Sequence, residues 1–470
     1  MRRTKIICTI GPASREEDTL KQLMQNGMNV ARLNFSHGSH ADHAETMQRI
    51  ERLRTELDLP VAVMLDTKGP EYRIQTFENG SVTLQEGNEF RFTLREIIGN
   101  EQEVSVNVPE IIQDVQIGDE VLVNNGLIKL RVTDKTATDL ICVVLCGGIL
   151  SDRKSMSFPH RLIQRPFLSE QDKQDLLFGI RHEVDYIACS FVSRKEDILA
   201  VKEFLQQNGG EDIELIAKIE NQSGVDNLKE IADVCSGIMI ARGDLGVEIP
   251  FVELPSLQKR IITTCRLMGK RVITATEMLE SMIQNQRPTR AEISDVANAI
   301  YDGSSAIMLS GETAAGKHPV LALQTMSAIA EETEKHLSYK KNFHRMDFHM
   351  ENTMDAISHS VCCMALDLNA KAICVHSCSG MTCRMISRFR PSAPILGMTP
   401  YEKSRRRLAL SWGVIPVILP EQDDHSAMIQ EGLLLAKKVL HLRKGDNVII
   451  TSGNLQITGS TNLVQVEPIP

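Results

Sequence analysis

The stretch that decides the fold is residues 214–244, ELIAKIENQSGVDNLKEIADVCSGIMIARGD, in which two apolar runs each end in charged residues. Side chains on a strand alternate between its faces, so Lys218 and Glu220 point the same way from a run rich in Leu, Ile and Ala. The second run ends at Asp244. Charged residues at the carboxyl ends of two successive buried strands predict a site at one edge of a parallel sheet.

Similar runs recur along the first two thirds of the chain and bring the total to eight. The other six are TKIICTIGP (4–12), NVARLNFSHG (29–38), AVMLDTKGPE (62–71), YIACSFVSR (186–194), RVITATEM (271–278) and AIMLSGET (306–313). Helical patterns that close on glycine, such as DTLKQLMQNG (18–27), lie between most of them. Eight such repeats over about 250 residues predict a (β/α)8 barrel, a fold that carries its chemistry at the carboxyl ends of its strands.

One connection in this series is too long for a loop. About a hundred residues separate LDTKGPE from the next helix start, where Ser169 and Asp172 have capping-box spacing. Alternating apolar and polar residues with Asn-Gly breaks predict a small inserted β domain at the mouth of the barrel, placed to act as a lid.

The remainder of the chain predicts a second α/β unit. Four strand-like runs, at residues 370–380, 393–400, 413–420 and 446–454, follow a polar segment at 336–352 that we interpret as a linker. The predicted domains are a catalytic barrel at 1–71 and 168–344, an inserted β lid at 72–167, and a C-terminal open α/β regulatory domain at 345–470.

Composition limits the possible partners. The 470 residues are 42% hydrophobic and carry a net charge of -9, with no Lys/Arg-rich run that would mark a nucleic-acid or membrane surface. Neither a signal-peptide core nor a membrane-spanning segment is recognisable, and the 11 cysteines include no CxxC pair. We expect a cytoplasmic protein with reduced cysteines that acts on small molecules, not on nucleic acid or a membrane.

Two sets of polar residues are expected at the carboxyl edge of the barrel. Glu220 and Asp244 suit a Mg2+ ion, which takes one or two carboxylates, and the backbone N–H groups of Gly243 and Asp244 suit an anion. Together with Lys218 they favour a phosphorylated, carboxylated substrate whose phosphoryl group is transferred. The second set offers oxygens for another hard cation, and it comprises Asn34, Ser36, Asp66 and Thr67.

Two arginines flank the second set of residues. Each motif taken alone also has a purely structural explanation. Arg32 and Arg73 suit phosphates, which guanidinium groups bind in a bidentate manner. A single Lys-x-Glu is typical of an exposed ion pair, and an Asp-Thr pair at a strand end is typical of a helix cap. The hypothesis of a functional site depends on finding all of them at matching strand ends.

The motifs together resemble those of pyruvate kinase, from residue 4 to the C-terminus. The matching stretches are CTIGP, NVARLNFSHG, LDTKGPE, AKIEN, IMIARGDLGVEIP, RPTRAEISDVANAIYDG and MLSGETAAGKHP. The resemblance implies phosphoryl transfer from phosphoenolpyruvate to ADP, which gives pyruvate and ATP, with Mg2+ (or Mn2+) and K+ as cofactors.

The resemblance also implies roles for individual residues. Lys218, Arg32 and Thr276 would be catalytic, and Gly243 and Asp244 would join them in binding the substrate. The remaining implied sets are Glu220 and Asp244 for Mg2+; Asn34, Ser36, Asp66 and Thr67 for K+; and Asn34, His37, Arg73 and Lys154 for the nucleotide. Glu71 implies dependence on K+, because the family has Glu or Lys here and only the lysine ammonium can replace a monovalent cation.

The last domain implies regulation by a sugar phosphate or nucleotide. HSCSGMT resembles an effector loop, with Ser377, Ser379 and Thr382 as hydroxyl donors, and SGNLQITGSTN resembles the loop that faces it. A homotetramer is expected from the resemblance alone.

Departures from the family's usual residues bear on lid closure and nucleotide affinity. They are Asn124, Asn125, Ser151, Ser155, Ser157, His160, Glu277 and Ala315. Two other functions remain open at this point: a sugar-phosphate sensor of the same fold with impaired catalysis, and a Mg2+-dependent aldolase-type barrel acting on phosphoenolpyruvate or pyruvate.

Overall fold

The first strands of the chain are short apolar runs that are almost wholly buried. A computed structural model describes residues 1–159, 161, 166–422, 424–453 and 461–470. Two β/α units and a third strand come first: β1 (Lys5–Thr9), α1 (Glu17–Gln25), β2 (Val30–Asn34), α2 (His40–Glu56) and β3 (Ala62–Asp66). The three strands pair in parallel, with Asn34 opposite Asp66 where β2 and β3 end.

The inserted segment forms a β domain with a core of its own. Its elements are β4 (Tyr72–Arg73), β5 (Ser81–Leu84), β6 (Glu89–Thr93), β7 (Glu103–Ser105), α3 (Glu110–Asp114), β8 (Glu120–Val123), β9 (Ile128–Lys135), β10 (Asp139–Cys146), β11 (Gly148–Ser151) and β12 (Ser155–Ser157). Asn124, Asn125 and Gly126 join β8 to β9, and all three have positive φ, a conformation that Asn and Gly tolerate best.

The barrel resumes after this domain and closes. Its helices and strands are α4 (Glu170–Arg181), β13 (Tyr186–Cys189), α5 (Lys195–Gln207), β14 (Glu214–Ile219), α6 (Gln222–Asp226), α7 (Leu228–Asp233), β15 (Gly237–Ala241), α8 (Arg242–Glu248), α9 (Leu254–Leu267), β16 (Arg271–Ala275), α10 (Arg290–Asp302), β17 (Ala306–Leu309), α11 (Gly311–Ala314) and α12 (Pro319–Lys335), with a 3-10 turn at Glu280–Ile283. Strand order β1-β17-β16-β15-β14-β13-β3-β2 closes the cylinder. The predicted capping box of Ser169 and Asp172 starts α4.

The C-terminal unit is a five-stranded sheet with helices. Its elements are α13 (Tyr339–His344), α14 (Thr353–Asp367), β18 (Ala372–His376), α15 (Met381–Ser387), β19 (Ile395–Thr399), α16 (Glu402–Leu408), β20 (Val414–Ile418), α17 (His425–Leu440), β21 (Asn447–Gly453) and β22 (Thr461–Pro468). Strand order is β20-β19-β18-β21-β22, and only β21 and β22 pair antiparallel.

A leucine of the C-terminal unit packs into the barrel. Leu410, which follows α16, is fully buried with inward-facing barrel residues such as Ile7, Met64 and Tyr186. Tyr186 donates a hydrogen bond to the backbone oxygen of Arg407 in the same segment. The end of the barrel where its strands begin is thus closed by the C-terminal unit, and its other end is left for the site.

The predicted fold class is confirmed, and one local interpretation needs correction. The polar segment at 336–352 contains α13, because Phe343 is buried with the C-terminal core and its ring lies 5.0 Å from that of His359. The predicted domain boundaries stay predictions. Among the described helices, none has both the length and the apolar character needed to cross a bilayer.

Candidate active site

Lys218 is the centre of a buried charge cluster at the carboxyl edge of the barrel. Its side chain lies on β14, and the residue is 8% exposed. Nζ is 2.9 Å from Glu220 Oε1 and 3.1 Å from Asp66 Oδ1, and it donates to Ser190 Oγ at 2.7 Å. The predicted pairing of Lys218 with Glu220 is therefore confirmed, and Asp66 lies against the same ammonium.

The protonation state of Lys218 follows from its neighbours. Burial alone would lower its pKa, but the Asp66 and Glu220 carboxylates outweigh burial and raise the pKa above its usual value. Burial raises the pKa of Glu220, against the attraction of Lys218, and the like charge of Asp244 adds to the rise. Lys218 is thus held as an ammonium throughout the neutral range.

Asp66 is shared between two cations. Arg32 Nε donates to Asp66 Oδ2 at 2.6 Å, and Arg32 Nη1 donates to Thr9 Oγ1 at 2.9 Å. Burial would raise the pKa of Asp66, but Arg32 and Lys218 outweigh it and hold the pKa below its usual range. Arg32 is thus fixed beside Lys218, with most of its side chain buried.

Ser190 is a site residue that sequence reasoning missed. It follows β13 directly, and its hydroxyl accepts from Lys218 and donates to the backbone oxygen of Thr67 at 2.6 Å. The Ser190 N–H donates to Thr67 Oγ1 at 3.2 Å. The serine that interrupts the middle of the run YIACSFVSR was the available signal.

Thr276 and the start of α8 form one hydrogen-bonded unit. Gly243 N–H donates to Thr276 Oγ1 at 2.9 Å, and Thr276 Oγ1 donates to the backbone oxygen of Ala275 at 2.6 Å. Thr276 and Glu277 both have positive φ, at 64° and 54°. This sparsely populated backbone conformation directs Thr276 toward α8 and marks a functional position.

Arg242 holds this turn in place and was also missed from the sequence. Its guanidinium donates to the backbone oxygens of Thr276 and Glu277 at 2.6 and 3.1 Å. Nη1 forms a bidentate contact with the Asp295 carboxylate at 2.7 and 2.9 Å. Arg242 and Asp295 are more than fifty positions apart, so no local pattern in the sequence indicated their contact.

Glu220 and Asp244 are the carboxylates available to a divalent metal. Glu220 directly follows β14, and Asp244 lies exposed in the first turn of α8, which follows the neighbouring strand β15. Glu220 Oε2 accepts from the N–H of Phe191 at 2.6 Å. Within the described ranges no three His, Cys, Asp or Glu side chains are arranged as a metal cage. Two carboxylates of like charge beside a cleft nevertheless fit Mg2+, which leaves its other positions to water and substrate.

The oxygens predicted to bind K+ lie together where β2 and β3 end. Asn34 Oδ1 accepts from the N–H of Ser36 at 3.1 Å, and Thr67 follows Asp66 directly. One carboxylate among amide and hydroxyl oxygens suits a monovalent hard cation. Glu71, four positions after Thr67, forms an ion pair at 2.5 Å with Arg73.

The residues predicted to bind the nucleotide lie around the base of the lid. His37 is exposed after β2, and its backbone oxygen accepts from His43 Nε2 at 2.9 Å. Arg73 lies in β4 and donates to the backbone oxygen of Arg153, while Lys154 is half-buried beside β12. The arrangement brings Arg73 and Lys154 together and leaves His37 on the barrel side.

A cleft between lid and barrel is lined by the two carboxylates that suit a divalent metal. Its walls include Glu71, Ser157 and Phe158 from the lid side and Glu220 and Asp244 from the barrel. Ser157, one of the unusual lid residues, hydrogen-bonds the Glu248 carboxylate of α8. Asn125 and Ser155 contact each other at 3.3 Å across the lid hairpin, and His160 lies outside the described residues.

The predicted effector loop joins β18 to α15. Ser377 Oγ accepts from Gly380 N–H at 3.0 Å, and Ser379 is exposed. Thr382 is buried, with its Oγ1 2.6 Å from Thr461 Oγ1, so that hydroxyl is already engaged. Most of the facing loop, residues 454–460, lies outside the described residues.

Fold and site together define a class: (β/α)8 enzymes in which a buried lysine contacts a carboxylate, that of Glu220, which lines a cleft beneath an inserted lid. Comparison with known proteins narrows this class. The family model "Pyruvate kinase, barrel domain" matches residues 1–323, and "Pyruvate kinase, alpha/beta domain" matches residues 355–467. The chain belongs to the pyruvate kinase family and is an enzyme of that family, as the motifs predicted.

Individual relatives cover the whole chain. Pyruvate kinase of Clostridium perfringens is 45% identical over 474 residues and is covered completely. That of Geobacillus stearothermophilus is 46% identical over 472 residues, with all of this chain and 80% of the relative covered. A crystal structure of a pyruvate kinase from Cryptosporidium parvum, 36% identical, matches with a TM-score of 0.95 over 100% of this chain and 96% of that one.

Proposed function

We propose that the protein transfers the phosphoryl group of phosphoenolpyruvate to ADP in the cytoplasm, in glycolysis, and releases pyruvate and ATP. In this reaction the bond between phosphorus and the enol oxygen breaks, a bond from phosphorus to the terminal oxygen of ADP forms, and the resulting enolate takes up a proton at carbon. The observation that carries the proposal is the buried Lys218 ammonium between Asp66, Ser190 and Glu220.

Lys218 acts through its charge and not by proton transfer. Because its carboxylate neighbours raise its pKa, it does not lose a proton near neutral pH. A fixed ammonium in a site with little water stabilises the negative charge on the phosphoryl oxygens and on the enolate. Arg32, held at 2.6 Å by Asp66, places a second cation beside the phosphoryl group.

Mg2+ would be held by Glu220 and Asp244. When bound, it would supply positive charge that stabilises the negative charge on the reacting oxygens. Phe191 N–H and Lys218 already orient Glu220, so this carboxylate is positioned before any ligand arrives. K+ would be held by Asn34, Ser36, Asp66 and Thr67. The bound ion would add positive charge beside the phosphoryl group.

The substrate carboxylate would bind at the first turn of α8. The N–H groups of Gly243 and Asp244 begin this helix, and Thr276 Oγ1 lies 2.9 Å from Gly243 N. Arg242 keeps the Thr276 turn in position. The proton for the enolate would come through water near Thr276. As the lid closes, the nucleotide phosphates would be contacted by Asn34, His37, Arg73 and Lys154.

The test is pyruvate formation from phosphoenolpyruvate and ADP with Mg2+, with K+ compared against Na+. We expect turnover that requires K+ and that falls about a thousandfold in Lys218→Met. Lys259→Met is the matched control, because Lys259 is an exposed lysine whose ion pair with Asp302 lies outside the site. It should leave turnover unchanged.

Two outcomes would contradict parts of this proposal. If turnover in Na+ equals that in K+, the proposed K+-binding residues and the inference from Glu71 are wrong, but the proposed phosphoryl transfer still stands. Folded protein without turnover, even with sugar phosphates and nucleotides present, would favour the sensor. Regulation through Ser377, Ser379 and Thr382 and a homotetrameric assembly remain proposals, to be checked by effector titration and by mass measurement in solution.

A further inference from the structure

An interdomain cavity lies where the barrel meets the C-terminal unit, on the side away from the lid. Its walls include Arg266 of α9, Gly303 after α10, Tyr339 of α13, and Arg390 and Trp412 of the C-terminal unit. About 380 Å3 of space free of protein atoms lies here, a figure that includes open solvent at the mouth, and the enclosed part is much smaller. Its lining has two arginines and aromatic rings, and none of the lining residues is acidic.

Carboxylates neutralise the other arginines of this interface except Arg3, whose guanidinium lies over the Tyr339 and Trp412 rings. Arg271 pairs with Glu214 at 2.6 Å, and Arg388 pairs with Asp355 at 2.5 Å. Ion pairs of this kind also hold Arg405, Arg406 and Arg407 of α16. Pairing with a carboxylate is therefore the rule where these domains meet.

Arg266 and Arg390 are exceptions to this rule. In the described part of the chain neither has a carboxylate within ion-pair distance. Arg390 is 9% exposed and donates only to neutral oxygens, those of Ser387, Gly303 and Ser305. Burying a charge without a counter-charge costs free energy, so a bound anion at this position would be favoured.

The two guanidinium groups meet at Gly303. Arg390 Nη2 donates to the Gly303 oxygen at 2.8 Å, and a Cβ atom at Gly303 would lie 3.1 Å from Arg266 Nη1. Burial, with the like charge of Arg266, lowers the pKa of Arg390. The Trp412 ring, 5.0 Å from Arg390 Cζ, offsets only part of this charge.

We propose that Arg266 and Arg390 bind a phosphate group, as free phosphate or as the phosphate of a small ester, in this cavity. Two adjacent guanidinium groups match a phosphate dianion in charge, and Arg266, whose side chain makes no hydrogen bond among the described residues, supplies the free donors. Arg266 belongs to the barrel and Arg390 to the C-terminal unit, so the bound group would join the two. The site is separate from the loop at residues 377–382 and from the cleft beneath the lid.

The protein carries its own probe for this site. Trp412 is the single tryptophan of the sequence, is 2% exposed and lines the cavity. Full-length protein is titrated with sodium phosphate, glucose 6-phosphate or AMP, each against sodium chloride at equal ionic strength, while Trp412 fluorescence is followed. We expect a saturable change with half-saturation below about 10 mM. A response to the esters alone would support the proposal and assign the phosphate to an ester.

The variant Arg266→Gln distinguishes this cavity from other phosphate sites. Its half-saturation should rise at least about tenfold, because a charge-assisted contact is lost. Arg49→Gln is the matched control, since Arg49 is a surface arginine paired with Glu45 at 2.5 Å, and it should respond as the wild type does. Because fluorescence reports binding without turnover, failure here is distinguishable from failure of the proposed phosphoryl transfer.

Two results would overturn the proposal. The first is the absence of a saturable change with all three ligands, and the second is an unchanged response in Arg266→Gln. The melting temperature of ligand-free Arg266→Gln is a further check, since removal of an uncompensated buried charge should leave it equal or raise it. A lower melting temperature would mean that Arg266 is neutralised within the fold, which counts against the proposal. In that case Arg266→Lys, which keeps the charge, should also lack the wild-type fluorescence response to the ligands.

Discussion

Ser190→Ala tests the geometry of the site at a residue that contacts no substrate in the proposed reaction. The change removes one of three partners of the Lys218 ammonium and leaves Asp66 and Glu220 at 3.1 and 2.9 Å. A hydrogen bond to a charged group contributes about 1.5–3 kcal/mol. Because the charge on Lys218 survives, the loss is of position, and kcat should fall by about ten- to a hundredfold.

The same change has a second effect through Thr67. The backbone oxygen of Thr67 loses its donor at 2.6 Å, and this residue belongs to the proposed K+ set. Initial rates of pyruvate formation are therefore measured against K+ as well as phosphoenolpyruvate. We expect the K+ concentration for half-activation to rise together with the fall in kcat, a combination that a purely structural loss would not produce.

Ser411→Ala is the matched control. Ser411 is a buried serine whose hydroxyl accepts from a cation, Arg271 Nε, at 3.2 Å, but Arg271 begins its strand at the opposite end of the barrel. Both variants should lose similar stability, and only Ser190→Ala should change kcat and the K+ response. Equal kinetics in wild type and folded Ser190→Ala would refute the reasoning that Ser190 positions Lys218.

Three further predictions concern the lid, the core and the substrate turn. Burial raises the pKa of Glu248 to about 7, against the hydrogen bond from Ser157, with Asp244 adding to the rise. The stability that Glu248 contributes is therefore complete below its pKa in the unfolded chain, near 4.5, and is lost as pH rises through about 7. In urea unfolding, the wild type should lose up to about 3 kcal/mol relative to Glu248→Gln between pH 5 and 8. Parallel dependences of unfolding free energy on pH in the two proteins would contradict this. Leu410→Ala should lower the unfolding free energy by about 2–5 kcal/mol in urea, because it empties a fully buried position, and a loss under 1 kcal/mol, about one CH2 group, would argue against the packing. Arg242→Lys should lower kcat/KM for phosphoenolpyruvate about tenfold or more, because lysine cannot hold Asp295 and two backbone oxygens together; an unchanged ratio would exclude this positioning role.

The barrel could be predicted because its strands are buried on both faces. A parallel strand of this kind reads as an apolar run, and the polar residue that ends it marks the functional edge of the sheet. Lys218 and Glu220 broke such a run and were paired correctly from strand alternation alone. The inserted domain could be predicted because its hairpin turns use Asn and Gly.

Contacts between distant parts of the chain could not be predicted. Ser190 joins Lys218 to Thr67, and Arg242 joins the Thr276 turn to Asp295, across separations that carry no periodic signal. The helix within residues 336–352 was missed for a related reason. Its single buried aromatic, Phe343, finds its partner only in the folded C-terminal unit.

The charges around Lys218 explain why a divalent metal suits the proposed reaction. Lys218 and Arg32 face three carboxylates, those of Asp66, Glu220 and Asp244, so the protein alone offers an anionic substrate no excess of positive charge. The carboxylates of Asp66 and Glu220 keep Lys218 protonated, so removing them would also remove the positive charge of the lysine. A metal held by Glu220 and Asp244 would reverse the balance without changing the lysine, because it would replace the repulsion between these two carboxylates by attraction to a shared cation. In the proposed reaction Lys218 thus supplies the permanent positive charge, and Glu220, beside it at the end of β14, would hold the exchangeable one.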